Sequence, residues 1–184
     1  MAVALLLTTA LALAGFLVTS IQGFAVAAGI AGSSAAARAL VTRHVGIAIP
    51  TVLLSLFSQS MVIFYFIGTG RLVKDEISSL PEAERRPILR ALSGFKRRTS
   101  PPATFALASA IAVFVLGGAV HTRALPWWVH LAASLAAVLL HAWAFGAEWR
   151  AFADNTQLMN DPRTYARGTA KDSAVSSRSG SSRR

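Results

Sequence analysis

Four apolar runs leave this chain little choice of fold. They cover about residues 2–31, 45–69, 102–120 and 127–149, and the first carries no charge at all. Each is close to the roughly 17–25 residues that cross a hydrocarbon core as a helix. None alternates apolar and polar residues, as the strands of a membrane barrel must. Composition agrees: 54% of the 184 residues are hydrophobic and 14% are charged, against roughly a quarter charged in a soluble domain. The expectation is an all-α membrane protein with a four-transmembrane-helix bundle over residues 1–160. A basic, Ser-rich tail over 161–184 is expected to be disordered. The first run is too long for a signal peptide and lacks its positive n-region, so it is read as a retained helix. There is no cysteine, which excludes disulfides, thiolate metal sites and a Cys nucleophile.

Charge sets the orientation. The segment 71–100 carries Arg71, Lys74, Arg85, Arg86, Arg90, Lys96, Arg97 and Arg98. The stretch after the fourth run carries Arg150, Arg163, Arg167, Lys171, Arg178, Arg183 and Arg184. Only Arg38, Arg43 and Arg123 lie on the other side. Positive residues collect on the cytoplasmic side, so both termini are expected there. The net charge of +10 therefore belongs to loops and a tail, and nucleic acid is not an expected partner. The Ala- and Arg-rich composition with short outer loops points to a bacterial inner membrane. In the fourth run, Trp128 and Trp149 stand 21 residues apart. At about 1.5 Å per residue that is the thickness of a bilayer core with an aromatic at each interface.

The segment 71–100 has an internal pattern. Ser79 and Glu82 stand at capping-box spacing. Pro87 is expected to divide the stretch from Ser79 to Ser100 into two short interfacial helices. Ile88, Leu89, Leu92 and Phe95 would then face the membrane, while Arg85, Arg86, Arg90, Lys96, Arg97 and Arg98 meet anionic lipid headgroups or a partner. A plainer reading is a topogenic loop whose charges only hold orientation.

Each run has one small or polar face. In the second, His44, Ala48, Thr51, Ser55, Ser58, Val62, Tyr65 and Thr69 recur at steps of four and three, with Gln59 and Ser60 flanking. In the fourth, His130, Ser134, Ala137, His141, Ala144 and Glu148 do the same. The first has Gly15, Thr19, Gly23, Ala27 and Ala31, and the third Ala106, Ala110 and Gly117. Such faces point inward, because close backbone approach and interhelical hydrogen bonds drive association in lipid. Counting from the helix ends puts Gln59 and His141 at one depth, so a Gln59–His141 hydrogen bond is expected.

Candidate ligand residues are His44, His121, His130, His141 and Gln59. Three of the histidines fall near the outer face and His141 lies deeper. In outline this resembles the membrane-anchor cytochromes b, a four-helix core with a few histidines. The resemblance implies a haem b held between histidines of two helices, with Arg43 and Arg123 near its propionates. Two haems would need paired histidines at two depths, and the three-to-one split allows one at most. Other readings are a three-histidine zinc or copper site at the outer face, a quinone pocket at His141 or Gln59, or histidines that simply sit where a helix end is wet. No catalytic set is apparent, and no charged residue is expected inside a span, so a pump is disfavoured. The leading expectation is a non-catalytic accessory or structural subunit that packs with other membrane subunits, a cytoplasmic partner or itself. The alternative is an electron-transfer anchor binding one haem b or a quinone.

The orientation has a direct test in a chain without native cysteine. Gly94→Cys should resist an impermeant thiol reagent in intact cells, and Ala124→Cys should react; labelling of the first from outside would reverse the topology.

Overall fold

The computed structural model describes residues 1–28, 34–162 and 164. The tail beyond 164 and Ala31 of the first run lie outside the described residues. Four helices follow in order: α1 Ala2–Ala27, α2 Ser34–Glu76, α3 Glu82–His121 and α4 Trp127–Asn160. A single 3-10 turn, Ile77–Ser79, joins α2 to α3. There is no strand among the described residues. All four helices are long and apolar enough to cross a membrane.

α1 packs on α2 and α4, and α3 packs on the same two helices. α2 and α4 are therefore diagonal and run in the same direction. One end of the bundle, here the basic end, holds Met1, the 3-10 turn and Asn160. The opposite end holds the α3–α4 connection at 122–126.

The buried residues explain the arrangement. Along α4 they include Ser134, Ala137, His141, Ala144, Glu148, Ala151, Asn155 and Leu158, alternating steps of three and four, with Phe152 buried beside Ala151. α1 shows the same with Leu5, Thr9, Ala12, Phe16 and Thr19. An apolar or small seam every 3.5 residues winds helices around one another left-handedly. The large side chains Leu7, Leu11, Phe57, Phe64, Phe114 and Leu139 point outward instead. That inversion, small inside and large outside, suits a bundle whose solvent is lipid.

The helices outrun their apolar segments. α2 has 43 residues and α3 has 40, about 60 Å at 1.5 Å per residue, twice a bilayer core. The two expected interfacial helices do not form. α3 is continuous from Glu82 through Pro87, Pro101 and Pro102. Pro87 falls near the helix start, where few carbonyls lose a donor, and the ring does not end the helix. Its apolar face is not turned to lipid either. Ile88 and Phe95 are buried with Val73, Ile77, Phe152 and Leu158, and Leu89 and Leu92 pack against this cluster. Of the basic residues, Arg85 and Arg86 bind Glu82, and Arg98 reaches Asp154 at 3.5 Å. Arg90, Lys96 and Arg97 remain exposed.

α3 ends in a Schellman motif. Ala124 N–H donates to the Ala119 carbonyl at 2.8 Å, and Arg123 N–H to Val120 at 3.0 Å. Arg123 occupies the left-handed position with φ 61°, where glycine is the usual residue.

The closest seam is α1 on α2. A Cβ on Gly15 would lie 2.5 Å from Thr51 Oγ1 and 2.7 Å from its Cγ2. Thr51 is buried and donates to the Ile47 carbonyl at 2.8 Å, so it has no free rotamer to retreat to. Gly15→Ala should destabilise the bundle by about 1–3 kcal/mol, the usual cost of overpacking. In a Thr51→Ala background that cost should shrink; equal costs in both backgrounds, measured by reversible unfolding in detergent, would remove this contact from the account.

Candidate functional site

The diagonal helices α2 and α4 meet through side chains in four polar layers. The first, nearest the opposite end, pairs His44 with His130. Their ring centroids are 6.2 Å apart and their planes are crossed at 89°. Glycine makes room for both rings. A Cβ on Gly23 of α1 would lie 3.5 Å from His44 Cε1, and one on Gly117 of α3 would lie 3.1 Å from His130 Cε1. The Thr19 carbonyl flanks the His44 ring and the Val113 carbonyl flanks His130. The Nδ1 atom of each imidazole is buried and has no hydrogen-bond partner.

Around this pair lies a cavity of about 990 Å³. Its wall is mostly apolar, built from Phe16, Val45, Ile49, Val113 and Leu131 among others. Its polar lining includes the two paired histidines, Thr19 and Ser134, with His121, Arg123 and Trp127 near the 122–126 connection. His121 is exposed and does not close on the other two. The three-histidine metal site therefore fails, and no group of three His, Cys, Asp or Glu able to hold a metal ion occurs among the described residues.

The second layer is Ser55 and His141. His141 is fully buried, and its Nδ1 lies 2.7 Å from the Ala137 carbonyl. A carbonyl only accepts, so Nδ1 carries the hydrogen. Nε2 then accepts from the Ser55 hydroxyl at 2.6 Å. Phe16 packs against the ring with centroids 4.4 Å apart. Both nitrogens are committed, so His141 is no open ligand. Its expected bond to Gln59 is not made. Equal counts from helix ends assumed equal starts, whereas α2 begins at Ser34 and not near 45.

Gln59 belongs to the third layer, with Glu148 of α4 and Thr9 of α1 beside it. All three are fully buried. Neither oxygen of Glu148 and neither polar atom of Gln59 completes a hydrogen bond. Gln59 lies near the middle of the apolar run 45–69, whereas Glu148 is next to last in the run 127–149 and Thr9 is seven residues into α1, so the layer sits in the basic-side half of the bundle. α4 continues eleven residues past Trp149 to Asn160. The unbroken step of three and four through Ala151, Asn155 and Leu158 was the sequence signal for it.

The fourth layer joins Asn155 to Tyr65, with Nδ2 donating to the phenol oxygen at 3.2 Å. Tyr65 and Phe66 pack on Phe152, with centroids 4.9 and 5.2 Å away.

No protein-family model, curated protein or solved structure matches this chain.

The second and third layers separate by mutation. Ser55→Ala and His141→Leu should couple by about 0.6–1.7 kcal/mol, the range measured for interhelical hydrogen bonds in membranes. Gln59→Leu and His141→Leu should add without coupling; a coupling of similar size there would put Gln59 back on His141.

Proposed function

We propose that this chain is a membrane-embedded electron-transfer subunit that holds one haem b between His44 and His130. The observation that supports the reading is the approach of these two imidazole rings to 6.2 Å beside a large apolar cavity. Only two histidine rings meet there. A bare zinc or copper ion asks for three or four, whereas a haem brings its own four nitrogens and asks the protein for axial ligands alone. With metal–nitrogen bonds of about 2 Å on each side, two imidazoles sharing one iron have centroids about 6 Å apart. The observed 6.2 Å fits that span. The cavity of about 990 Å³ lies at the upper end of the roughly 300–1,000 Å³ of ligand pockets.

Arg123 strengthens this reading over a purely structural accessory role. A non-glycine residue in the left-handed region costs about 1–2 kcal/mol, and such strain persists where a side chain is needed. Here the side chain is a cation at the cavity wall, suited to a propionate. The same proposal places both termini in the cytoplasm of a bacterium with the bundle in its inner membrane, on the strength of the fifteen basic residues at one end and three at the other. The exposed Arg90, Lys96 and Arg97 would there meet anionic headgroups or the rest of a larger complex.

An optical spectrum of the purified protein tests it. A Soret band with sharp reduced α and β bands is expected, lost in His44→Ala and in His130→Ala and retained in His121→Ala. Arg123→Gly should raise thermal stability, by about 1 kcal/mol from relieved backbone strain, while weakening haem retention. A colourless protein that co-purifies with quinone would assign the cavity to that ligand, and a colourless protein with neither would return the chain to a structural role.

A further inference from the structure

The third layer holds a carboxyl that the histidine cavity leaves unused. Glu148 is fully buried and is the sole buried acidic residue among the described residues; no Lys or Arg is buried with it. Its surroundings on every helix are neutral. α1 brings Thr9, whose hydroxyl already donates to the Leu5 carbonyl at 2.7 Å and so has only lone pairs left to offer. α2 brings Gln59. On α3 the buried side chains of this half are Thr99, Pro102, Ala103 and Ala106, none of them titratable. Along α4 the next polar residues of the stripe are His141 and Asn155, each two turns away. An isolated carboxylate in a low-dielectric interior is strongly disfavoured unless something neutralises it.

Two things could do so, a metal ion or a proton. A hard cation such as calcium asks for about six or more oxygens. Here Glu148, Gln59 and Thr9 offer four at most, and neither cavity is lined by Gln59 or Glu148. A proton needs no space. It turns one carboxyl oxygen into a donor, and Gln59 Oε1 is a buried acceptor without a partner.

We propose that Glu148 is a proton-binding site buried in the basic-side half of the bundle, held by Gln59 and reached from the basic end through Asn155 and Tyr65. In the uptake step a proton leaves water at the basic end, an O–H bond forms on one Glu148 oxygen, and one positive charge enters the apolar layer; release is the reverse. The entry is a second cavity of about 630 Å³ at the basic end, whose wall includes Met1, Met61, Tyr65, Thr69 and Met159. Tyr65 lines it and accepts from Asn155 at 3.2 Å. Asn155 Oδ1 is buried and unpartnered, a position for a water, and in the proposed route water carries the proton over the two turns from there to Glu148. Buried acids of this kind mark proton relays in membrane proteins. The site stands whether or not a haem fills the cavity at the opposite end.

Infrared spectroscopy of the full chain in lipid tests it. The wild type at neutral pH should show the C=O stretch of a protonated carboxyl, absent from Glu148→Gln, a neutral isostere that keeps the helices intact by circular dichroism. Transfer to heavy water should shift the band, because the proton exchanges. Gln59→Leu should move it toward the frequency of a carboxyl without a hydrogen-bond acceptor. Asn155→Leu and Tyr65→Phe should slow the exchange several-fold. Absence of the band in the wild type, its survival in Glu148→Gln, or a failure to exchange would each overturn the site. Unchanged exchange in both Asn155→Leu and Tyr65→Phe would overturn the route.

Discussion

Everything in this bundle depends on how closely four helices can approach where lipid supplies no hydrophobic drive between them. Lipid tails are as apolar as leucine, so burying leucine gains little, and association must come from packing and hydrogen bonds. The seam is accordingly small. Ala12, Ala103, Ala106, Ala110, Ala137 and Ala144 have no measurable exposure, and Gly15 sits directly against Thr51. Close approach then brings the diagonal helices within side-chain reach, and that reach creates every polar layer between α2 and α4. Wider helices would leave His44 and His130, or Ser55 and His141, unable to meet.

The layers differ in how completely they are satisfied, and the difference tracks what each can do. His141 uses both ring nitrogens, one on the Ala137 carbonyl and one on Ser55. It is glue, and its worth is that of an interhelical hydrogen bond. His44 and His130 each keep a buried nitrogen unpaired, and Gln59 and Glu148 likewise keep buried polar atoms without partners. Buried polar groups without partners are costly, and the two proposals above assign these to a ligand and to a proton. The satisfied layer lies between two unsatisfied ones, which separates the cavity at one end of the bundle from the carboxyl in its other half.

The basic end is built differently from the rest. There the core holds Val73, Ile77, Ile88, Phe95, Phe152 and Leu158, large side chains where the middle has alanine. This cluster coincides with the extensions of α2, α3 and α4 past their apolar runs. Ion pairs between Glu82 and Arg85 and Arg86 coat its surface. Burial of these large groups also explains why α3 stays helical through three prolines: the lost backbone bonds are outweighed by a continuous packed face.

The amino-acid sequence alone determined the number of helices, their inward faces and their membrane-like character. Each of these depends on periodicity and hydropathy, which are local properties of the chain. The stripe from His130 to Glu148 and the seam at Gly15 and Gly23 were legible for the same reason. The tertiary structure decided how the stripes slide against one another. A one-turn offset along α2 gives His141 to Ser55 and Gln59 to Glu148, and no local signal sets that offset, because it depends on where each helix begins and on side chains from all four. The same is true of convergence. Four histidines were visible, but only packing could show that His44 and His130 face each other while His121 stays outside and His141 is already bound. Glu148 read as a boundary residue because it is followed by Trp149 and Arg150. Its burial follows from the length of α4, which extends beyond the apolar run and packs Phe152 and Leu158 into the cluster at the basic end.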